Sequence, residues 1–69
     1  MAERLDNKLK HVRGELGLTQ AQLAEAVGVT RKTINTVENG VFVPSTLLAL
    51  KIARALGRPV EELFFISPE

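Results

Sequence analysis

The side chains in this sequence that could do chemistry gather in one short stretch. Thr30, Arg31, Lys32, Asn35 and Thr36 all fall within residues 30–36. What they offer is charge and hydrogen bonding: a rigid guanidinium fork, a mobile ammonium, an amide that both donates and accepts, and hydroxyls beside methyl groups. That is the chemistry of recognition, not of bond making. Elsewhere the inventory is thin. His11 is the only histidine and has no second imidazole or carboxylate at ligand spacing, so it reads as a surface residue. Glu61 and Glu62 fall where the first turn of a late helix is expected, and there two acids complement the helix dipole. With no nucleophile beside a base, no glycine-rich phosphate loop and no metal-ligand cluster, neither an enzyme nor a cofactor or metal site is expected.

The elements that must position those side chains are bounded by size. At 69 residues the chain is expected to form one domain over 1–69, which excludes multidomain enzymes, channels and solenoids. Its 45% apolar content suffices for one core, at a size where association often supplements stability. There are no cysteines, so disulfides and Cys/His zinc sites are excluded. No apolar run approaches the roughly 20 residues that cross a bilayer, and Met-Ala-Glu-Arg-Leu-Asp lacks a signal core. A cytoplasmic protein with no membrane contact is expected. The net charge of +1 neither demands nor forbids nucleic acid.

Gly17, Gly28, Gly40 and Gly57 each close a stretch of helix formers. Five short helices are predicted, over about 8–16, 20–27, 31–39, 46–56 and 60–65. The first is capped by Asn7 or Asp6, with Leu9, Val12, Arg13 and Leu16 on one face. Thr19 and Gln22 form a capping box for the second, which buries Leu23, Ala24 and Val27. Thr30 caps the third, whose Ile34 and Val37 point inward. Pro44-Ser45 opens the fourth and Pro59 precedes the fifth. Strand signals are confined to Val41-Phe42-Val43 and an extended tail from Phe65.

Only Gly28-Val29-Thr30 separates the second and third helices, which is helix-turn-helix spacing. The crossing needs a small residue, supplied by Ala24, and the turn a glycine, supplied by Gly28. Leu23, Val27, Val29, Ile34 and Val37 complete the inner face. Periodicity alone also suits any helical hairpin in a small bundle. The spacing together with the outward polarity of the third helix is what points to DNA.

On Leu18-Thr19-Gln20-Ala21-Gln22-Leu23-Ala24, Gly28-Val29-Thr30-Arg31-Lys32-Thr33-Ile34, Val37-Glu38-Asn39-Gly40, Pro44-Ser45 and Ile52-Ala53-Arg54-Ala55-Leu56-Gly57, the chain resembles the phage-repressor and Cro type of helix-turn-helix protein, the XRE family, in its short stand-alone bacterial form. The resemblance spans roughly Leu9 to Leu63. It implies an all-α, five-helix lambda-repressor-like domain that binds operator DNA as a homodimer, for the most part as a repressor. By matching position, Gln20 is expected at a phosphate, through its backbone N–H and its amide. Thr30, Arg31, Lys32, Asn35 and Thr36 are expected to reach base edges in the major groove, Arg31 as a fork on guanine and Asn35 on adenine. Thr30 is equally explained by its cap. Asn39 closes the helix and offers its amide to the backbone. The resemblance also implies a partly buried ion pair of Arg13 with Glu38, scaffold and not DNA contact.

Two departures carry expectations of their own. Where such proteins often carry a Lys or Arg after Gly40, this chain has Val41-Phe42-Val43, so a backbone contact there is missing or made by main-chain amides. The fourth helix is apolar on more than one face. Leu47 and Leu50, with Phe64, Phe65 and Ile66, are therefore expected to form a homodimer seam. The resemblance to the short regulators further implies a small sheet of the two termini at that seam, through Leu5 and Phe65-Ile66. The rival reading is a same-fold antitoxin or adaptor whose partner is a protein, bound on the Val41–Val43 loop or the Leu47 face.

Overall fold

A computed structural model describes residues 2–68. In chain order the elements are β1 (Glu3–Asn7), α1 (Leu9–Glu15), α2 (Gln20–Val27), α3 (Arg31–Glu38), α4 (Thr46–Leu56), α5 (Val60–Leu63) and β2 (Phe64–Pro68). Each helix gives the core one residue with no solvent exposure: Leu9, Leu23, Ile34, Ile52 and Leu63. Burying such a side chain is worth about 1.5–3 kcal/mol, so the five together hold the bundle around a single centre. Ala24 and Val37 are also buried, which lets α2 and α3 approach closely.

The local signals at the helix starts act as their chemistry requires. The Thr19 hydroxyl accepts from the Gln22 N–H at 3.0 Å, and the Gln22 side-chain Oε1 accepts from the Thr19 N–H at 2.8 Å, a complete capping box. Gly28 closes α2 at φ 75°, a left-handed conformation in which a side chain would be strained. Thr30 and Ser45 cap α3 and α4 by accepting from the N–H groups of Thr33 and Leu48.

The termini differ from expectation. Phe64 and Phe65, placed at the end of the fifth helix by their sequence, lie in β2, and α5 stops at Leu63. The aromatic and β-branched run Phe64-Phe65-Ile66 suits extended backbone. Its pairing partner is β1 of the same chain, antiparallel, with Leu5 opposite Ile66 and Asn7 opposite Phe64. The small terminal sheet thus forms within one molecule. Phe64, expected at a dimer seam, is 9% exposed and belongs to the chain's own core. The Val41-Phe42-Val43 segment is a loop, as expected. Leu16 lies beyond α1 and is largely exposed.

Asn7 joins the sheet to the bundle. Its carbonyl accepts from the Leu9 N–H at 3.1 Å, serving as a cap although Lys8 holds the cap position. Its amide donates to the Val37 carbonyl at 3.0 Å, in the last turn of α3. Asn7→Ala leaves a half-buried donor and acceptor unpaired, so a loss of about 1–3 kcal/mol is expected in urea denaturation. A change at an exposed position of α1, Lys10→Ala, is expected to stay within about 0.5 kcal/mol.

Candidate nucleic-acid interface

One polar network holds the helix-turn-helix unit to α1. Arg13 Nε donates to Glu38 Oε2 at 2.7 Å and its Nη2 to Glu38 Oε1 at 3.2 Å, a two-pronged contact. A third donor, Nη1, reaches the Leu18 carbonyl at 2.8 Å. The Glu38 side chain is 3% exposed and that of Arg13 14%, so water screens the pair little. The hydrogen bond from Glu38 outweighs the opposing effect of burial and holds the guanidinium pKa above its ordinary value. Gln20 closes the network, its Nε2 donating to Glu38 Oε1 at 3.1 Å. Sequence reasoning gave Gln20 to DNA alone and did not find this internal partner. Nor did it find the reach from Asn7 to the end of α3, because no local pattern relates residues 7 and 37.

The outer side of α3 is charged at one end. Arg31, Lys32 and Asn35 are exposed, while Thr36 is half-buried. Neither cation forms an ion pair among the described residues. Both sit in the first turn of α3, which holds no acid. A cation there opposes the positive end of the helix dipole, an effect of about 0.3–1 kcal/mol each at an exposed site. The arrangement is unfavourable for the isolated domain and favourable for an anion brought up to it.

The remaining expected contacts divide between free and committed groups. The Thr30 hydroxyl accepts from the Thr33 N–H at 3.2 Å and lies 3.1 Å from the Thr33 hydroxyl. The Thr36 hydroxyl donates to the Thr33 carbonyl at 2.9 Å, which leaves its oxygen able to accept. Asn39 follows the last turn of α3, and its side-chain Nδ2 donates to the side-chain Oδ1 of Asn35 at 3.2 Å. After Gly40 the chain folds back, and the N–H groups of Val41 and Phe42 both donate to the Thr36 carbonyl, at 3.0 and 3.2 Å. Those amides are occupied, so they do not supply the backbone contact a basic side chain would have made. His11 lies on the far exposed side of α1, 3.6 Å from Glu15.

The large exposed apolar side chains stand on other elements than Arg31 and Lys32. Val41, Val43, Leu47, Leu50 and Ile66 are more than half exposed, Phe42 slightly less, and Phe65 36%. Leu47 and Phe42 border a shallow apolar groove of about 300 Å³ over Val27, Val29 and Leu48. Leu50 borders a second, of about 250 Å³, with Leu5, Pro44 and Val60, and Phe64 at its base. Lys8 covers the Phe65 ring, with its nitrogen 5.8 Å from the ring centre.

Comparison with known proteins agrees with this geometry. A helix-turn-helix family model matches residues 9–63. The chain is 45% identical over 65 residues to an uncharacterized HTH-type transcriptional regulator of Bacillus subtilis, YgzD, covering 94% of this chain and 98% of that protein. It is 52% identical over 62 residues to an uncharacterized HTH-type transcriptional regulator of Methanothermobacter thermautotrophicus, covering 88% and 90%. Among solved structures it is similar to the restriction-modification controller protein C.AhdI of Aeromonas hydrophila, with a TM-score of 0.75, 35% identity, and 78% and 82% of the two chains covered.

The ion pair sets an energetic test. Arg13→Leu leaves the Glu38 carboxylate buried and uncompensated, and is expected to lower stability by about 3–5 kcal/mol. Adding Glu38→Leu removes the stranded charge and is expected to restore most of that loss, as read by thermal denaturation of the two variants side by side.

Proposed function

The chain belongs to the XRE type of the helix-turn-helix family of DNA-binding transcriptional regulators, and from that premise we propose a cytoplasmic, sequence-specific repressor that binds a near-palindromic operator as a homodimer. The observation that carries the reading is the pair of unpaired cations, Arg31 and Lys32, in a helix turn where they have no stabilising partner of their own. With α3 in the major groove, Arg31 donates two hydrogen bonds to guanine O6 and N7, and Lys32 meets a second guanine or a phosphate. Asn35 pairs with adenine. Thr36 sets its methyl against thymine. Thr30 keeps its capping role and touches the backbone from the edge of the site, while Gln20 and Asn39 hold phosphates on either side.

Two copies related by a twofold axis present their α3 helices about 34 Å apart, one turn of the duplex. We assign the seam to Leu47 and Leu50 of α4 with Ile66 of β2, without Phe64, which is in the core, or Phe65, which by strand alternation lies on the face opposite Ile66, under Lys8. Exposed leucines and isoleucine beside two apolar grooves are what a second copy would cover. Occupying the operator then blocks polymerase. A second reading is favoured by the loop: Val41 and Val43 are 78% and 67% exposed, and no charge lies among them. A protein partner on that loop would make the chain an antitoxin or adaptor.

Arg31→Ala is expected to weaken binding to a duplex selected from genomic fragments by about tenfold to a hundredfold, the loss of one bidentate base contact. Stability should be unchanged or slightly higher, since a cation leaves the helix N-terminus. Lys32→Ala should reduce the salt dependence of binding by about one unit of slope if it holds a phosphate. Binding indifferent to both changes in fluorescence anisotropy would transfer the function to the protein-partner reading. Leu47→Glu should convert a dimer to a monomer in sedimentation; a variant that still sediments as a dimer would remove α4 from the seam.

A further inference from the structure

We propose that Glu38 is a positioning residue for DNA binding: the same buried carboxylate that pairs with Arg13 orients the Gln20 amide toward the duplex. The inference rests on the reading that Gln20 meets a phosphate, and adds what makes it able to do so.

The argument follows from donor and acceptor chemistry. Glu38 takes both prongs of the Arg13 guanidinium on its two carboxylate oxygens, and a carboxylate only accepts hydrogen bonds. The Gln20 amide 3.1 Å away must therefore present its nitrogen, not its oxygen, to Glu38. That nitrogen carries two hydrogens. One is used on Glu38, and the second is the only side-chain donor that Gln20 retains. A phosphate also only accepts, so the one N–H left over decides whether Gln20 attracts the backbone or turns a repelling carbonyl toward it.

Location gives this consequence. Gln20 is the first residue of α2, directly after its cap, and is half-buried. An unanchored glutamine there would sample several rotamers and both amide orientations. Anchored on Glu38, it has lost that freedom before DNA arrives, so less ordering remains to be done on binding. Glu38 is itself the last residue of α3. The bond therefore fixes the phosphate donor at the start of α2 relative to the helix that reads the bases. It sets the distance between a positioning contact and the base contacts it must accompany.

The test is a double-mutant cycle on a selected duplex, with ethylation interference to identify each phosphate contact. Gln20→Met is expected to weaken binding about five- to tenfold and to abolish interference at one phosphate in each half-site. Glu38→Gln can both donate and accept, so it releases the amide; it is expected to lose the same phosphate signal while the others remain. With Glu38→Gln present, adding Gln20→Met should cost little more. Retention of that phosphate signal in Glu38→Gln would overturn the positioning role and leave the Gln20 contact standing. No lost phosphate in Gln20→Met would overturn the Gln20 contact itself and the positioning role with it. Should Glu38→Gln fail to fold, the unaltered protein decides by NMR. One Gln20 side-chain amide proton, bonded to Glu38, should stay in place while the other shifts as DNA is added. Two protons that shift alike would overturn the proposal.

Discussion

The helix-turn-helix geometry depends on one buried contact, the two-pronged ion pair between Arg13 and Glu38. It connects three parts of the chain that no helical hydrogen bond could connect. Arg13 stands on α1, Glu38 ends α3, and the third donor of the guanidinium reaches the Leu18 carbonyl just before α2. Its contribution to stability is a poor measure of its importance, because both charges lose water to form it. Its value is directional. A guanidinium fork and a carboxylate meet in few relative orientations, whereas Leu9, Leu23 and Ile34 would tolerate small rotations of the helices. Apolar burial supplies cohesion, and the ion pair supplies the angle. No buried side-chain polar atom among the described residues lacks a partner, so the network adds direction without leaving an orphaned group.

That angle acts on a helix whose charges run against its dipole. α3 begins with Arg31 and Lys32 and ends with Glu38, the reverse of the arrangement that stabilises an isolated helix. The two ends are compensated differently. At the C-terminal end Arg13 neutralises Glu38 inside the molecule. At the N-terminal end nothing among the described residues does so, and the compensation has to come from outside. The paired charge is buried, and the two cations without an ion pair among the described residues are exposed.

Much of this was legible in the sequence, for identifiable reasons. The starts of α2, α3 and α4 are written in three or four consecutive residues, Thr19 with Gln22, Thr30, and Pro44-Ser45, because capping is a local reaction. Their packing faces follow from helical period. The terminal sheet was not legible in this way. Glu3-Arg4-Leu5-Asp6-Asn7 contains little that favours a strand, and it becomes one because Phe64-Phe65-Ile66, at the other end of the chain, offers an edge. Such an override by tertiary pairing cannot be read from a window of neighbours. The same limit applied at the candidate site. Residue types showed that Gln20 is polar and Glu38 inward, but only the fold brings them within 3.1 Å.

The loop after α3 shows how charge and apolar surface are kept in separate places. Two consecutive N–H groups converge on the Thr36 carbonyl, so the chain reverses tightly against α3 and holds Val41 and Phe42 beside it. The turn consumes the amides that could have met a phosphate and presents apolar side chains instead. Phe42 then reaches toward Leu47, extending the apolar surface from the loop onto α4. A small domain with little interior to spare gains cohesion if such surface is covered by another molecule. Whatever covers it rests on a loop bonded to α3 at Thr36, one helical turn from Lys32. The exposed apolar loop is thus tied to the last turns of α3 at two carbonyls, that of Thr36 and, through the Gly40 N–H, that of Val37.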